Sequence, residues 1–256
     1  MNDDPKLVGA DRVLAVLIEL AEHPQGASLD ELAQALNSSK STVHRALASL
    51  RRAKLASQVA RGVYVLGDEF LRLAFRNHAA RPEATRVEPV LRALAQTFGE
   101  TTHYAVLDGA DVVYRAKVDP PGGGVRLTSE IGGRNPAYRT AVGKLLLSYQ
   151  VGSERELEQW LSGRPLEART PNSITSIADL WRQLTTARER GYAVDDQENE
   201  PGVNCVAVPL GWETQTTPPG AISISALAFR TPLADLVAAV PRLRQTIADG
   251  GAARTD

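Results

Sequence analysis

A single cysteine, Cys205, leaves no partner for an intrachain disulfide. That excludes a disulfide-stapled secreted scaffold and fits a reducing cytoplasm. No apolar run reaches the ~18 residues that a membrane-spanning helix needs. The opening Met1-Asn2-Asp3-Asp4-Pro5-Lys6 is acidic and has none of the apolar core of a signal peptide. A cytoplasmic protein with no membrane partner is the expectation. A surplus of either charge is also missing: 29 Lys and Arg against 30 Asp and Glu give a net charge of −1. The chain is therefore not a basic nucleic-acid coat, and any DNA binding must come from a local patch. His23, His44, His78 and His103 show no metal-ligand spacing, and there is no internal repeat. At 256 residues the chain has room for two domains.

One more absence turns the reading toward function. Between Leu32 and Gly67 there is no Asp or Glu, yet Lys40, Arg45, Arg51, Arg52, Lys54 and Arg61 all fall there. A local excess of cations without acids is what duplex phosphates require. The same region reads as two short amphipathic helices with a polar turn. Ser28 and Glu31 form a capping box, and Leu29, Leu32, Ala33 and Leu36 recur at helical spacing. Asn37, Ser38 and Ser39 supply the turn and the next cap. In the second helix Val43, Ala46, Leu47 and Leu50 form the buried stripe, which leaves Lys40, Ser41, His44 and Arg45 outside near its N-terminal end. A helix-turn-helix presents its DNA-reading side chains at that end. Arg45 and His44 are the candidates for base edges, and Lys40, Ser41 and Arg61 for the backbone, with Thr42 beside them.

A helix over residues 10–22 carries Val13, Leu14, Val16, Leu17 and Leu20, more apolar surface than a small three-helix unit usually hides. Burial against a second copy and a single wide core face both account for it. Residues 57–66 alternate around Arg61-Gly62 and read as a hairpin, the wing of a winged helix-turn-helix. Residues 68–77 read as a helix, with a domain boundary in the polar stretch ending at Pro82. Beyond it the patterning predicts a helix at 87–98 and strands at 103–107 and 112–117 joined by Asp108-Gly109. A further strand is expected at 125–128 and a buried helix at 140–149. Exposed helices follow at 154–161 and 177–190, then strands at 192–195, 203–210 and 221–227 and a last helix at 233–248. Such a mixture argues for an α+β domain around an antiparallel sheet. The tail after Gly250 is expected to be disordered.

Enzyme chemistry finds little support. Cys205 with His103 suggests a thiol and a base, but Cys205 lies in the apolar strand Val203-Asn204-Cys205-Val206-Ala207-Val208, where lone cysteines are usually inert. Gly143-Lys144 resembles the end of a phosphate loop, yet it is followed by Leu145 and lacks the first glycine. Asp195, Asp196, Glu198 and Glu200 form an acidic turn that is either solvated or, with Cys205, a metal site. In a strand, Ser223 and Ser225 share one face and Ile222 and Ile224 the other. The two hydroxyls either face water or serve a small carboxylate or carbonyl.

Several separated motifs, in order, resemble the isocitrate-lyase-regulator (IclR) family of transcription regulators. They are Tyr64-Val65-Leu66-Gly67 closing the wing, Gly99-Glu100-Thr101, and Gly132-Gly133-Arg134-Asn135-Pro136 leading to Thr140-Ala141-Val142-Gly143-Lys144. Arg190-Gly191-Tyr192-Ala193, Glu198-Asn199-Glu200-Pro201-Gly202, Cys205-Val206-Ala207-Val208-Pro209 and the Ile222-to-Ser225 strand continue the match. The resemblance implies an α+β chain: a winged helix-turn-helix DNA-binding domain over 1–67, a linker helix over 68–81, and a GAF-like effector-binding domain with an antiparallel sheet over 82–250. The tail is 251–256. It further implies a homodimer or homotetramer that binds double-stranded operator DNA and answers to a small metabolite, often an organic acid. The family's effector pocket falls on Asp195, Cys205, Ser223 and Ser225, with apolar walls at Ala141 and Val142; no cofactor, metal or catalytic residue is implied. Tyr138 and Arg139 stand where the family pattern differs and are expected to alter the pocket. The loop at 212–219 is longer than the family's turn. The rival expectation is a metal- or metabolite-binding sensor or enzyme that uses the helix-turn-helix only for dimerisation.

Overall fold

A computed structural model describes residues 9–79, 82–122, 127–210 and 219–250. The tail, half of the expected strand at 125–128 and nearly all of the long loop at 212–219 lie outside these residues; Leu127 and Thr128 are not in a strand. The chain divides into two compact units at Arg81 and Pro82.

The first unit runs α1 (Ala10–Ala21), β1 (Ala27–Ser28), α2 (Leu29–Ala35), α3 (Lys40–Arg52), β2 (Ala56–Ala60), β3 (Val63–Leu66) and α4 (Asp68–Ala79). The capping box starts α2: Glu31 N donates to Ser28 Oγ at 3.2 Å, and Ser28 N donates to Glu31 Oε2 at 2.7 Å. The cap of α3 is Ser39, whose Oγ accepts from Thr42 N at 3.3 Å. Leu20, Leu32, Leu47 and Leu50 close the core with Val43, Ala56 and Tyr64, each large aliphatic side chain contributing ~1.5–3 kcal/mol. Gly62, at φ 75°, makes the wing turn that side-chain-bearing residues enter with strain. The two-residue β1 was not expected. It pairs Ala27 with Tyr64 and Ser28 with Val63, and Ser28, read as a cap, is a strand residue as well.

The apolar residues of α1 divide between the core and the surface. Val16 and Leu20 are buried and Val13 and Leu17 pack against the same core, while Leu14, and Ile18 which was not singled out, are 55% and 65% exposed. On α4, Leu71, Leu73 and Phe75 are exposed too.

The second unit contains α5 (Pro82–Phe98), β4 (Thr101–Asp108), β5 (Asp111–Val118), β6 (Arg134–Pro136) and a 3-10 turn at Ala137–Arg139. After these come α6 (Ala141–Gln150), α7 (Glu154–Leu161), α8 (Ile177–Arg190), β7 (Ala193–Asp196), β8 (Val203–Leu210), β9 (Gly220–Leu227), α9 (Leu233–Ala238) and α10 (Val240–Asp249). The strands form one antiparallel sheet in the order β6-β5-β4-β9-β8-β7. Strand alternation sorts its two faces. Tyr104, Val106, Val206, Val208, Ile222 and Ile224 pack against α5, α9 and α10. The opposite face offers Ala105, Ala193, Ala207 and Ala221 to α6 and, behind it, α7 and α8. Small residues there let α6 lie close to the sheet. Gly143 brings it equally close to the 3-10 turn, where a Cβ would stand 2.1 Å from the Ala137 carbonyl oxygen.

Three further differences have local causes. The last helix breaks at Ala239, because Pro241 belongs to the first turn of a new helix, where its missing N–H is not needed. The helices α7 and α8 are not exposed throughout: Leu157, Leu161, Leu180, Leu184 and Ala187 are buried. Strand β6 went unseen because Arg-Asn-Pro carries no apolar alternation; it pairs Val113 with Arg134 and Val112 with Asn135.

Candidate functional site

Two polar surfaces stand out, one on each unit. On the first, α3 buries Val43, Ala46, Leu47 and Leu50 and leaves Lys40, Ser41, His44 and Arg45 exposed. Those four side chains and Leu29 line a shallow depression. Arg61 is exposed at the tip of the wing. Two of the candidate side chains have partners within the unit. Lys40 is not a free cation, because its Nζ lies 2.8 Å from Asp30 Oδ2, just upstream of the acid-free stretch. Thr42 is only half-exposed, and its hydroxyl is 2.9 Å from the Ser39 cap, with Ser41 Oγ at 3.0 Å.

On the second unit a cavity of about 260 Å3 opens between the sheet and the N-terminal end of α6. Ala141, Val142, Asp195, Cys205, Ser223 and Ser225 all line it. Strand register explains the convergence. Asp195 pairs with Cys205, and Cys205 with Ser225, so three strands put one row of polar groups across the sheet. The neighbouring row joins Ser223 to His103. Ile222 and Ile224 point into the opposite core, which resolves the serine alternation in favour of the cavity. Thr140 caps α6 through Gly143 N at 3.0 Å, and the positive end of the helix faces the cavity.

His103 was considered only as a base for Cys205, and the structure gives it another place. It is buried, with Nε2 2.8 Å from Ser129 Oγ and Nδ1 3.5 Å from Ser225 Oγ. Its ring tilts over Tyr114 at 4.9 Å. Burial, with Lys117 nearby, lowers its pKa to about 3, so at neutral pH it is uncharged. Lys117 Nζ donates to the carbonyls of Leu127 (2.9 Å) and Ser129 (2.8 Å), pinning the segment that covers the cavity. Leu127, Thr128, Ser129, Asn135 and Arg169 are also wall residues that the sequence did not single out, and Glu200 of the acidic turn joins them. The Gly132-to-Pro136 motif was the available signal for Asn135; Leu127, Thr128, Ser129 and Arg169 carry none at the sequence level.

The acidic turn does not gather round one point. Asp195 Oδ1 accepts from Glu198 N at 2.7 Å and Asn199 N at 3.4 Å. Burial raises its carboxyl to about 7, against the lowering pull of Lys144. Glu198 instead reaches Lys144 Nζ, a lysine only 1% exposed, which also donates to Gln183 Oε1 at 2.6 Å. Lys144 is thus a structural cation under the cavity and no part of a phosphate loop. Among the described residues no three His, Cys, Asp or Glu side chains are placed to share a metal ion. Burial also pushes the Cys205 thiol well up, and its Sγ lies 3.1 Å from Ser225 Oγ, so it is a wall group rather than a nucleophile. Tyr138 and Arg139 do not line the cavity: the Tyr138 hydroxyl bonds the Glu167 backbone and Arg139 stacks on the Tyr138 ring.

A winged helix-turn-helix beside an α+β unit with an internal polar cavity defines a class of transcriptional regulators. Comparison with known proteins narrows it. The family description "Bacterial transcriptional regulator IclR C-terminal" matches residues 82–249, and "IclR helix-turn-helix domain" matches residues 9–60. The HTH-type transcriptional regulator XynR of Escherichia coli is 31% identical over 245 residues, 94% of each chain. The crystal structure of an IclR regulator from Alicyclobacillus acidocaldarius aligns with a TM-score of 0.77 at 29% identity, covering 94% of this chain and 97% of that one. An IclR homologue from Microbacterium hydrocarbonoxydans, complexed with 4-hydroxybenzoate, shares the fold at 21% identity and TM-score 0.75, over 93% and 98% of the two chains. The chain belongs to the IclR family of bacterial transcriptional regulators, which sets aside the enzyme expectation. Among the described residues no helix is long and apolar enough to cross a membrane.

Proposed function

We propose that this chain is a ligand-responsive regulator of a metabolic operon that binds operator DNA as a homodimer or a larger homo-oligomer. The observation that carries the effector half is the convergence of Ala141, Val142, Asp195, Cys205, Ser223 and Ser225 on one cavity. A cavity of about 260 Å3 suits a small metabolite. The positive end of α6 suits an organic acid. The 4-hydroxybenzoate of the Microbacterium protein is not carried over, since the likeness there is of fold.

For the DNA half, α3 enters the major groove with Arg45 and His44 toward base edges, and Ser41, Thr42, Lys40 and Arg61 serve phosphates. Lys40 exchanges Asp30 for phosphate on binding. The exposed Leu14, Ile18, Leu71, Leu73 and Phe75 support oligomerisation through the first unit. A dimer sets two recognition helices about 34 Å apart, one turn of DNA. Effector binding shifts DNA affinity only as far as it prefers one arrangement of the oligomer, and α4 is the element placed to transmit that preference. Replacing both serines, Ser223→Ala with Ser225→Ala, is expected to blunt release or recruitment of DNA by the effector in a gel-shift titration. A normal response would remove both hydroxyls from the effector site.

A further inference from the structure

The acid-free stretch that carries the face of α3 begins just after Asp30 and Glu31, the first-turn acids of α2. Their two carboxylates are engaged differently. Glu31 is held by its own helix, where Oε2 accepts from Ser28 N at 2.7 Å. Asp30 has no part in that cap, because the Ser28 hydroxyl already takes the Glu31 amide. Its Oδ2 meets Lys40 Nζ at 2.8 Å instead, ten residues on and across the turn between α2 and α3. Lys40 is equally dispensable to the start of α3, whose cap is Ser39. The side chains of Asp30 and Lys40 are 67% and 65% exposed. An ion pair so open to water adds little to the fold. Its main consequence is for what else Lys40 can bind.

Lys40 shares a depression with Leu29, Ser41, His44 and Arg45, so the pair sits at the reading end of α3. One ammonium cannot hold a carboxylate and a phosphate at full strength together. DNA that takes Lys40 must displace Asp30. The freed carboxylate then stays within a Debye length, about 8 Å at physiological salt, of the phosphate that replaced it.

We propose that Asp30 is a built-in competitor for Lys40 that holds down the charge-driven part of binding to any duplex and leaves discrimination to His44 and Arg45. This rests on the DNA-binding reading above and adds to it a residue that opposes binding. Phosphate attraction is common to all sequences, whereas contacts to base edges are not. Restraining the first makes the second count for more.

The test is fluorescence anisotropy of the full-length protein with its own upstream DNA and an unrelated duplex, across a salt series. Wild type, Asp30→Asn, Lys40→Gln, the double variant and Arg45→Ala are compared. Asp30→Asn keeps the cap formed by Ser28 and Glu31, so it is expected to fold, which thermal melting checks. It should tighten binding to the unrelated duplex about fivefold, the upper worth of an exposed ion pair. The slope of log affinity against log salt should steepen by up to ~0.9. In the Lys40→Gln background the same replacement should gain about twofold or less, because no cation is left to compete for. A gain as large there as in wild type is through-space repulsion and overturns the inference. Binding by Asp30→Asn no tighter than wild type, while Arg45→Ala still weakens it, overturns the inference and leaves the DNA reading standing. If no variant, wild type included, binds either duplex at low salt, the DNA reading falls and the inference with it.

Discussion

Between positions 40 and 45, α3 shows polar side chains to water along a single face, and nothing but a hydrophobic stripe beneath is needed to put them there. The cavity of the second unit is assembled differently. Asp195, Cys205 and Ser225 come from three successive strands and His103 from a fourth much earlier in the chain, and register brings them together out of water. An exposed polar face costs the fold little, whereas a buried polar row demands partners and shifts proton affinities. Sensitivity to substitution should therefore concentrate in the second unit, and ionic-strength sensitivity in the first.

The sharpest break of that contrast is under the cavity. Lys144→Met leaves Glu198 buried without its cation and is expected to destabilise the chain by about 3–5 kcal/mol, seen as a lower midpoint of chemical denaturation. Adding Glu198→Leu should restore most of the loss. If Lys144→Met alone is neutral, the buried pair does not hold α6 to the acidic turn.

A smaller effect follows from Asp195. Its carboxyl ionises near 3.8 when unfolded but at about 7 in the fold. The unfolded state thus gives up its proton first, and stability falls as pH rises from about 4 to 7, remaining lowered above that. Asp195→Asn keeps an acceptor for the Glu198 and Asn199 amides and should stabilise the protein by ~1–3 kcal/mol at pH 8, with no gain near pH 4. His103 acts in the opposite sense: its folded pKa of about 3 against 6.5 removes stability as pH falls from 6.5 toward 3. Melting curves of the variant across pH that run parallel to wild type would refute the assignment to Asp195.

The least effect belongs to the exposed surface of the first unit. Ser28→Ala removes the side-chain half of the capping box and leaves the backbone pairing of β1, and should cost about 1 kcal/mol, measured by thermal melting. A loss as large as that of Lys144→Met would erase the distinction between the two regions.

The same distinction explains what could be read from sequence. The capping box, the stripe of α3 and the Arg61-Gly62 turn are local patterns, and each occurs where periodicity predicts it. Within the second unit, β8 and β9 follow from alternation, which also sorts Ser223 and Ser225 from Ile222 and Ile224. Bringing Asp195 and Cys205 to the same row rested on the family resemblance, because no local pattern encodes register between β7, β8 and β9. Asn135 and Arg169 sit in segments without apolar alternation, and their place in the wall depends on tertiary contacts alone. Lys40 shows the converse limit: the acid-free stretch is real in sequence, but Asp30 lies just outside it and folds back across the turn.

The most direct measurement is fluorescence anisotropy of the protein with its own upstream DNA and with an unrelated duplex, each at low and at physiological salt, for wild type and Arg45→Ala. Preferential binding to the upstream DNA that weakens steeply with salt, reduced about tenfold or more by Arg45→Ala, is the predicted result. Equal, salt-insensitive binding to both duplexes, or binding that Arg45→Ala leaves unchanged in strength and preference, would contradict a sequence-reading role for α3.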